Sequence, residues 1–245
     1  MKGLIKEEKE SKELYRNQHI LLKGFLSFDI KEDIKTLDKL IIKEYTKNTF
    51  YGDLNKWLMN LNMNFYAPVA YFTARLKYSL NSYAINNNMY CIEDKKTIYR
   101  GIKMPFTCLL QYIRANGKII LLSSFTSTSE DDNLAKNWAC RKNPKQLYEN
   151  SLNFSVVYYI TNFYKRNWIP NGINIQNESL YKNEKEYLFQ PFSFYLIRQV
   201  EIDYINYTAD IYLETIGKTE ILEEKIKKGK EIEFNKEENI IQIKK

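Results

Sequence analysis

Histidine is almost missing from this chain: among 245 residues there is one, His19, in a charged N-terminal stretch far from any patterned segment. A Ser-His-Asp triad, a Cys-His pair and a histidine-rich metal site each need an imidazole beside a nucleophile or an ion, so a single histidine far in sequence from every motif argues against all three. His19 itself reads as an exposed helix residue. Cysteine is scarce too. Cys91, Cys108 and Cys140 are odd in number, widely spaced and without a Cys-x-x-Cys pair, which argues against a disulfide framework and against zinc. Such usage fits a reducing compartment, and equally an effector exported by a dedicated secretion system. No run approaches roughly 18 consecutive apolar residues, and Met1 to Arg16 is charged rather than apolar. A cytoplasmic chain with no signal peptide and no membrane span is therefore expected. Internal repeats are also absent.

What remains for chemistry is carboxylate, hydroxyl and arginine. The net charge of +7 suits acidic partners such as nucleotides, nucleic acid or an acidic protein surface, but a modest excess spread along the chain is a weak pointer. Ile30, Ile34, Leu37, Ile41 and Tyr45 recur at helical steps, and Phe50 to Leu61 and about Ala70 to Tyr83 continue helical. From Thr97 the pattern becomes short β-rich runs: Thr97 to Tyr99, Ile119 to Phe125, Phe154 to Ile160, Tyr187 to Phe189, Phe192 to Val200 and Ile211 to Ile216. Helices first and strands later, without βαβ alternation, predict an α+β fold. Residues 1–90 read as a helical lobe, 91–217 as a β core forming one unit with it, and 218–245 as a charged, partly ordered tail. Ser129-Glu130-Asp131-Asp132 has the form of a capping box, opening a helix on which Leu134 and Trp138 share a face.

Three segments carry candidate chemistry. Glu184-Lys185-Glu186 opens an alternating apolar run; in an extended strand both carboxylates would project to one face and Lys185 to the other, although Glu-Lys-Glu is also common on solvated surfaces. Upstream, Thr97-Ile98-Tyr99 delivers Arg100-Gly101, which read in isolation is an ordinary turn after a strand. Between them stands Ser127-Thr128-Ser129, where a strand gives way to a helix.

In this order, Arg100, Ser127-Thr128-Ser129 and Glu184-Lys185-Glu186 resemble the arginine, serine and glutamate motifs of the arginine-specific mono-ADP-ribosyltransferases. Tyr45-Thr46, Phe50-Tyr51, Leu54-Asn55 and Trp57-Leu58 are similar to that family's N-terminal helical pattern, and Ile211 to Gly217 to its final strand, so the likeness spans roughly residues 30 to 217. The resemblance implies a mixed β-sandwich enclosing an NAD cleft. It also implies roles. Glu186, the glutamate followed by Tyr-Leu-Phe-x-Pro-Phe, would hold the ribose 2′-hydroxyl; Glu184 would orient an acceptor guanidinium, since glutamine at that place goes with other acceptors. Ser127 would orient Glu186 or the nicotinamide ribose, with Thr128 and Ser129 shaping the turn and capping the helix. Arg100 would clamp the pyrophosphate or its ribose, and the Gly101 main chain would hold the nicotinamide carboxamide. Trp138 is a candidate for stacking on nicotinamide, with a core tryptophan as the plainer reading. Where the family often has another basic residue before the glutamates, this chain has Tyr181 and Lys182, leaving the second phosphate contact open.

The function expected from this resemblance is transfer of ADP-ribose from NAD to an arginine of an acceptor protein, with no metal, by a monomer that is either cytoplasmic or a secreted effector. Neither a membrane nor nucleic acid is expected as a partner. An NAD glycohydrolase would use the same cleft. A non-catalytic basic binding module is the alternative from another class, and it predicts damaged motifs where these are intact.

Overall fold

The computed structural model describes residues 34–47, 51–60, 66–87, 95–162, 172–216, 232–235 and 240–243. His19, Cys91, Ile30, Phe50 and Gly217 lie outside them. Three helices come first: α1 (Ile34–Tyr45), α2 (Tyr51–Asn60) and α3 (Tyr66–Asn87). Each buries one stripe, as its apolar spacing requires. Ile41, Ile42 and Tyr45 of α1, Leu54 and Leu58 of α2, and Phe72, Leu76, Leu80, Tyr83 and Ala84 of α3 form one cluster with Phe125, Ile173, Ile175 and Leu188. Asp38 of α1, itself buried, accepts from Arg75 of α3 at 3.0 Å and pins the two helices together. Pro68 falls inside the first turn of α3, where a missing N–H costs nothing because those amides have no partner within the helix.

The strands are β1 (Thr97–Pro105), β2 (Ile119–Leu122), β3 (Thr126–Ser129), β4 (Asn153–Thr161), β5 (Gly172–Asn174), β6 (Glu186–Phe189), β7 (Ser193–Asp203), β8 (Thr208–Ile216), β9 (Ile232–Asn235) and β10 (Ile240–Ile243). Between them stand α4 (Phe106–Arg114), α5 (Asp132–Trp138) and α6 (Pro144–Ser151). The chain is α+β, but α4 and α6 interrupt the expected run of strands; both are short and lie beside strong β-formers that mask their period.

The resemblance implies a mixed β-sandwich; the described strands form one hydrogen-bonded sheet in the order β5-β6-β3-β1-β4-β8-β7-β2-β10-β9. Strands β4 and β8 run parallel and the other pairs antiparallel. Twist curls the sheet onto itself, so that Phe189 of β6 meets Tyr195 of β7 with ring centroids 5.7 Å apart. All four residues of β6 are buried, because Tyr187 and Phe189 face the sheet core and Leu188, on the other face, joins the helical cluster. The stretch read as a charged tail contains β9 and β10, and β10 pairs with β2. Averaged composition hides the isoleucines at 232, 240, 241 and 243.

One feature of the sheet prepares the site. Strand β1 pairs with β4 along its whole length, yet among the described residues it meets β3 only at Tyr99 opposite Ser129. Past that pair the two strands separate. Arg100 and Gly101, which in isolation would read as a turn, lie mid-strand where this split opens. No helix among the described residues is long and apolar enough to cross a membrane.

Candidate functional site

The split holds a cleft of about 420 Å³ lined by Tyr45, Thr46, Tyr51, Arg100, Gly101, Ser127, Trp138, Tyr181, Glu184 and Glu186. All six residues singled out from the sequence therefore share one wall system. Four separate segments deliver them.

Glu186 begins β6 on the face it shares with Leu188, so its carboxylate is drawn under the helices and is only 5% exposed. Both oxygens are satisfied: Ser127 Oγ donates to Oε1 at 2.6 Å and Ser179 Oγ donates to Oε2 at 3.1 Å. Arg100 Nη1 donates to the Ser127 carbonyl at 2.7 Å, which holds the guanidinium on the cleft wall beside this pair. Burial raises the Glu186 pKa above the usual carboxylate range, opposed in turn by the hydroxyls of Ser127 and Ser179 and by the Arg100 charge. Glu184 is also raised, first by burial and then by the neighbouring Glu186 charge.

Both glutamate side chains reach one cleft, but not by strand alternation. They do not share a strand. Glu184 closes a short 3₁₀ turn (Lys182–Glu184), Lys185 takes the left-handed conformation at φ 45°, and only Glu186 is in β6. A reversal at Lys185, not strand alternation, aims both carboxylates inward.

All three hydroxyls of Ser127-Thr128-Ser129 brace this segment. Ser127 holds the Glu186 carboxylate, Thr128 Oγ1 donates to the Tyr187 carbonyl at 2.8 Å, and Ser129 Oγ donates to the Glu184 carbonyl at 2.6 Å. Ser129 is therefore not the cap of α5. Asp131 caps it, its carboxylate accepting from the amides of Asn133 at 2.9 Å and Leu134 at 3.3 Å. Asp131 sits where the first free amides point, and the Ser129 proton is already committed to the Glu184 carbonyl.

Gly101 has a steric reason to be glycine. A Cβ there would lie 1.7 Å from the Ala135 carbonyl oxygen and 2.7 Å from the Ala139 amide nitrogen, so helix α5 packs directly on the β1 backbone. That contact carries Trp138, at the end of α5, to the cleft wall half-buried rather than into the core. Arg100 is the one cation among the described lining residues; Tyr181 stands on the wall and Lys182 is exposed.

Sequence reasoning missed four lining residues, Tyr45, Thr46, Tyr51 and Tyr181, and the second serine on Glu186. Tyr45, Thr46 and Tyr51 were legible only as helix pattern. Tyr45 packs on Phe125 at 5.2 Å, and its hydroxyl accepts from Asn55 Nδ2 at 3.1 Å while Asn55 Oδ1 accepts from the Phe125 amide at 3.0 Å, fixing α1 and α2 against the strand that bears Ser127. Ser179 had no signal at all. Among the described residues no cluster of three His, Cys, Asp or Glu could hold a metal ion.

No protein-family model matches the chain, and no curated protein matches it in sequence. Solved structures do. The Vis toxin, an ADP-ribosyltransferase from Vibrio splendidus, is similar at TM-score 0.55 and 19% identity over 86% of this chain and 87% of that one. Plx2a, an ADP-ribosyltransferase toxin from Paenibacillus larvae, gives a TM-score of 0.53 at 15% identity over 86% and 97%. The chain has the ADP-ribosyltransferase fold. Vis has also been solved in complex with agmatine; that structure has a TM-score of 0.54 and 19% identity over 79% of this chain and 78% of that one. Along the cleft, the arginine stands on β1, the serine on β3 and the glutamates astride the entry to β6.

Proposed function

We propose that this chain is an NAD-dependent mono-ADP-ribosyltransferase that transfers ADP-ribose from NAD to an arginine side chain of an acceptor protein and releases nicotinamide. The observation that carries this reading is the buried Glu186 carboxylate, held by two hydroxyls in a cleft that also receives Arg100 and Glu184.

The chemistry follows from the charges. Nicotinamide in NAD is cationic and leaves as a neutral molecule with the bonding electron pair, so no strong general acid is needed. Positive charge passes to the ribose as the C1′–N bond stretches. Glu186, ionised and hydrogen-bonded to the ribose 2′-hydroxyl, would stabilise that charge, and Ser127 would keep its carboxylate aimed. A guanidinium nitrogen then forms the new bond to C1′ and gives up a proton. Glu184 can hold the guanidinium by two parallel hydrogen bonds and accept that proton, a task helped by its raised pKa. Arg100 offers a planar fork to the pyrophosphate or its ribose, the Gly101 main chain lies open to the carboxamide, and Trp138 offers a ring to nicotinamide. NAD already carries the activated bond, so the reading requires no metal.

Arginine as acceptor is favoured by Glu184, and by the fold's likeness to Vis, which binds the guanidinium compound agmatine. Glu184 is only half-buried in the cleft, so water could stand in for the acceptor, and this favours NAD glycohydrolase activity as the second reading. The proposal extends to a helical lobe over 1–90 acting with a catalytic core over 91–217, to a monomer, and to a toxin or effector role. Incubation with labelled NAD and agmatine tests it: label joining agmatine supports transfer, label accumulating only as free ADP-ribose supports hydrolysis, and intact NAD refutes both.

A further inference from the structure

The loop between β5 and the 3₁₀ turn bears a side chain that reaches the Glu186 oxygen Ser127 leaves free. Ser179 is 3% exposed. Its hydroxyl works in both directions, donating to Glu186 Oε2 at 3.1 Å and accepting from the Tyr181 amide at 3.1 Å. The loop is fastened elsewhere too, including by an ion pair between Lys39 of α1 and Glu178 at 3.7 Å. The Leu180 amide donates to Thr46 Oγ1 at 3.2 Å, at the end of α1, and the Ile175 amide donates to the Glu186 carbonyl at 3.0 Å. Tyr181 and Glu184, which this segment presents, both line the cleft.

A hydroxyl has one proton and a narrow range of good geometries. With its oxygen tied to the Tyr181 amide and its proton on Glu186, Ser179 cannot follow a movement of the loop without changing its hold on the carboxylate. Ser127 holds the other oxygen from β3, which the sheet keeps in place. We infer that Ser179 is a positioning residue that ties the orientation of the Glu186 carboxylate to the position of the loop presenting Tyr181 and Glu184 to the acceptor. This inference rests on the reading of Glu186 as the ribose-facing carboxylate. An acceptor that settles on the loop thereby tightens the group that activates NAD, and productive transfer is favoured over idle hydrolysis.

Among the described residues three titratable groups interact with Glu186: Arg100 from β1 favours its ionised form, while its charge acts on Tyr45 of α1 and on Glu184 of its own segment. Ser179→Ala alters none of them. It removes a hydrogen bond to the ionised carboxylate, so the Glu186 pKa should rise further. Two measurements on Ser179→Ala test the inference: kcat/KM for NAD hydrolysis against pH without acceptor, and Tm against pH. The acid limb of the activity profile should move up by about one pH unit, with little change in KM for NAD. The Tm deficit relative to wild type should widen as pH rises through that limb, because the lost bond matters most when Glu186 is charged. Ser179→Cys, a weaker donor of similar size, should fall between, and it carries the test if the alanine variant does not fold. An unmoved acid limb, or a Tm deficit equal at every pH, would overturn the inference and leave Ser179 as a shaper of the loop. Absence of NAD cleavage by the wild type would refute the functional reading instead, and the Tm comparison would still decide whether Ser179 holds the carboxylate.

Discussion

Ser127 Oγ donates to Glu186 Oε1 at 2.6 Å across the β3–β6 pair, joining residues 59 apart in sequence. The bond exists because β3 and β6 are in register with Ser129 opposite Glu186 and Ser127 opposite Leu188, so the serine reaches the carboxylate diagonally along one face. A carboxylate under the helices would otherwise be a buried charge without a partner. Here the sheet supplies one donor, and the loop before β6 supplies another.

Glu186→Gln keeps the shape and loses the charge. If the carboxylate faces a developing cation, both transfer to agmatine and NAD hydrolysis should fall by at least two orders of magnitude, a loss of about 3 kcal/mol or more of transition-state stabilisation. Steady-state rates on a variant with unchanged circular dichroism check this; more than a tenth of wild-type activity would sink the assignment.

The two glutamates should separate kinetically. Glu184→Gln leaves the Ser127–Glu186 bond in place and removes the acceptor's partner, so transfer should collapse while hydrolysis persists at a measurable fraction. Parallel assays with and without agmatine would show it, and equal loss of both activities would mean that Glu184 acts on NAD itself.

Two glycines should respond oppositely to alanine. At Gly101 the new Cβ would meet backbone of α5, so Gly101→Ala should destabilise at or beyond the upper end of the roughly 1 to 3 kcal/mol typical of overpacking, and should disturb the cleft wall. At Gly52, in α2, a Cβ meets nothing within 4 Å, and Gly52→Ala should be neutral or stabilising by up to about 1 kcal/mol. Urea midpoints of the two variants decide the matter; similar values would contradict the packing of α5 on β1.

The pH dependence of stability has a defined sign. Burial raises the folded-state pKa of Glu186 above its unfolded value, so its contribution is fully present below the unfolded pKa and is lost as pH rises through the folded one. Removing the ionisable group removes that loss. Glu186→Gln should therefore gain Tm relative to wild type as pH rises above the ordinary carboxylate range, with the gain appearing across the raised titration. Thermal melts across that titration measure it; a gain largest at the acid end would show that the folded protein stabilises the charged form.

Much of the site was legible before any fold was considered, because its chemistry depends on residue type. One histidine far in sequence from the motifs and three scattered cysteines argue against triad, Cys-His and zinc chemistry, and the order of arginine, Ser-Thr-Ser and Glu-x-Glu named six residues that the structure brings to one cleft. Helical stripes in α1, α2 and α3 were equally readable, since burial of one face imposes its period locally.

What the tertiary structure decided is everything set by contacts between distant segments. Arg100 and Gly101 look like a turn until β4 pairs along all of β1 and holds them extended. Glu184 and Glu186 look like one face of a strand until the left-handed Lys185 separates a 3₁₀ turn from β6 and still aims both acids inward. Gly101 excludes a side chain only because α5 lies on it, and Ser129 serves Glu184 rather than a helix end only because β3 sits beside β6. Ser179 is one polar loop residue among many until the curled sheet and the helices close over Glu186. Local propensity and pattern carry no information about which remote donor will satisfy a buried charge; the requirement that it be satisfied does, and that requirement arises only when the fold removes water.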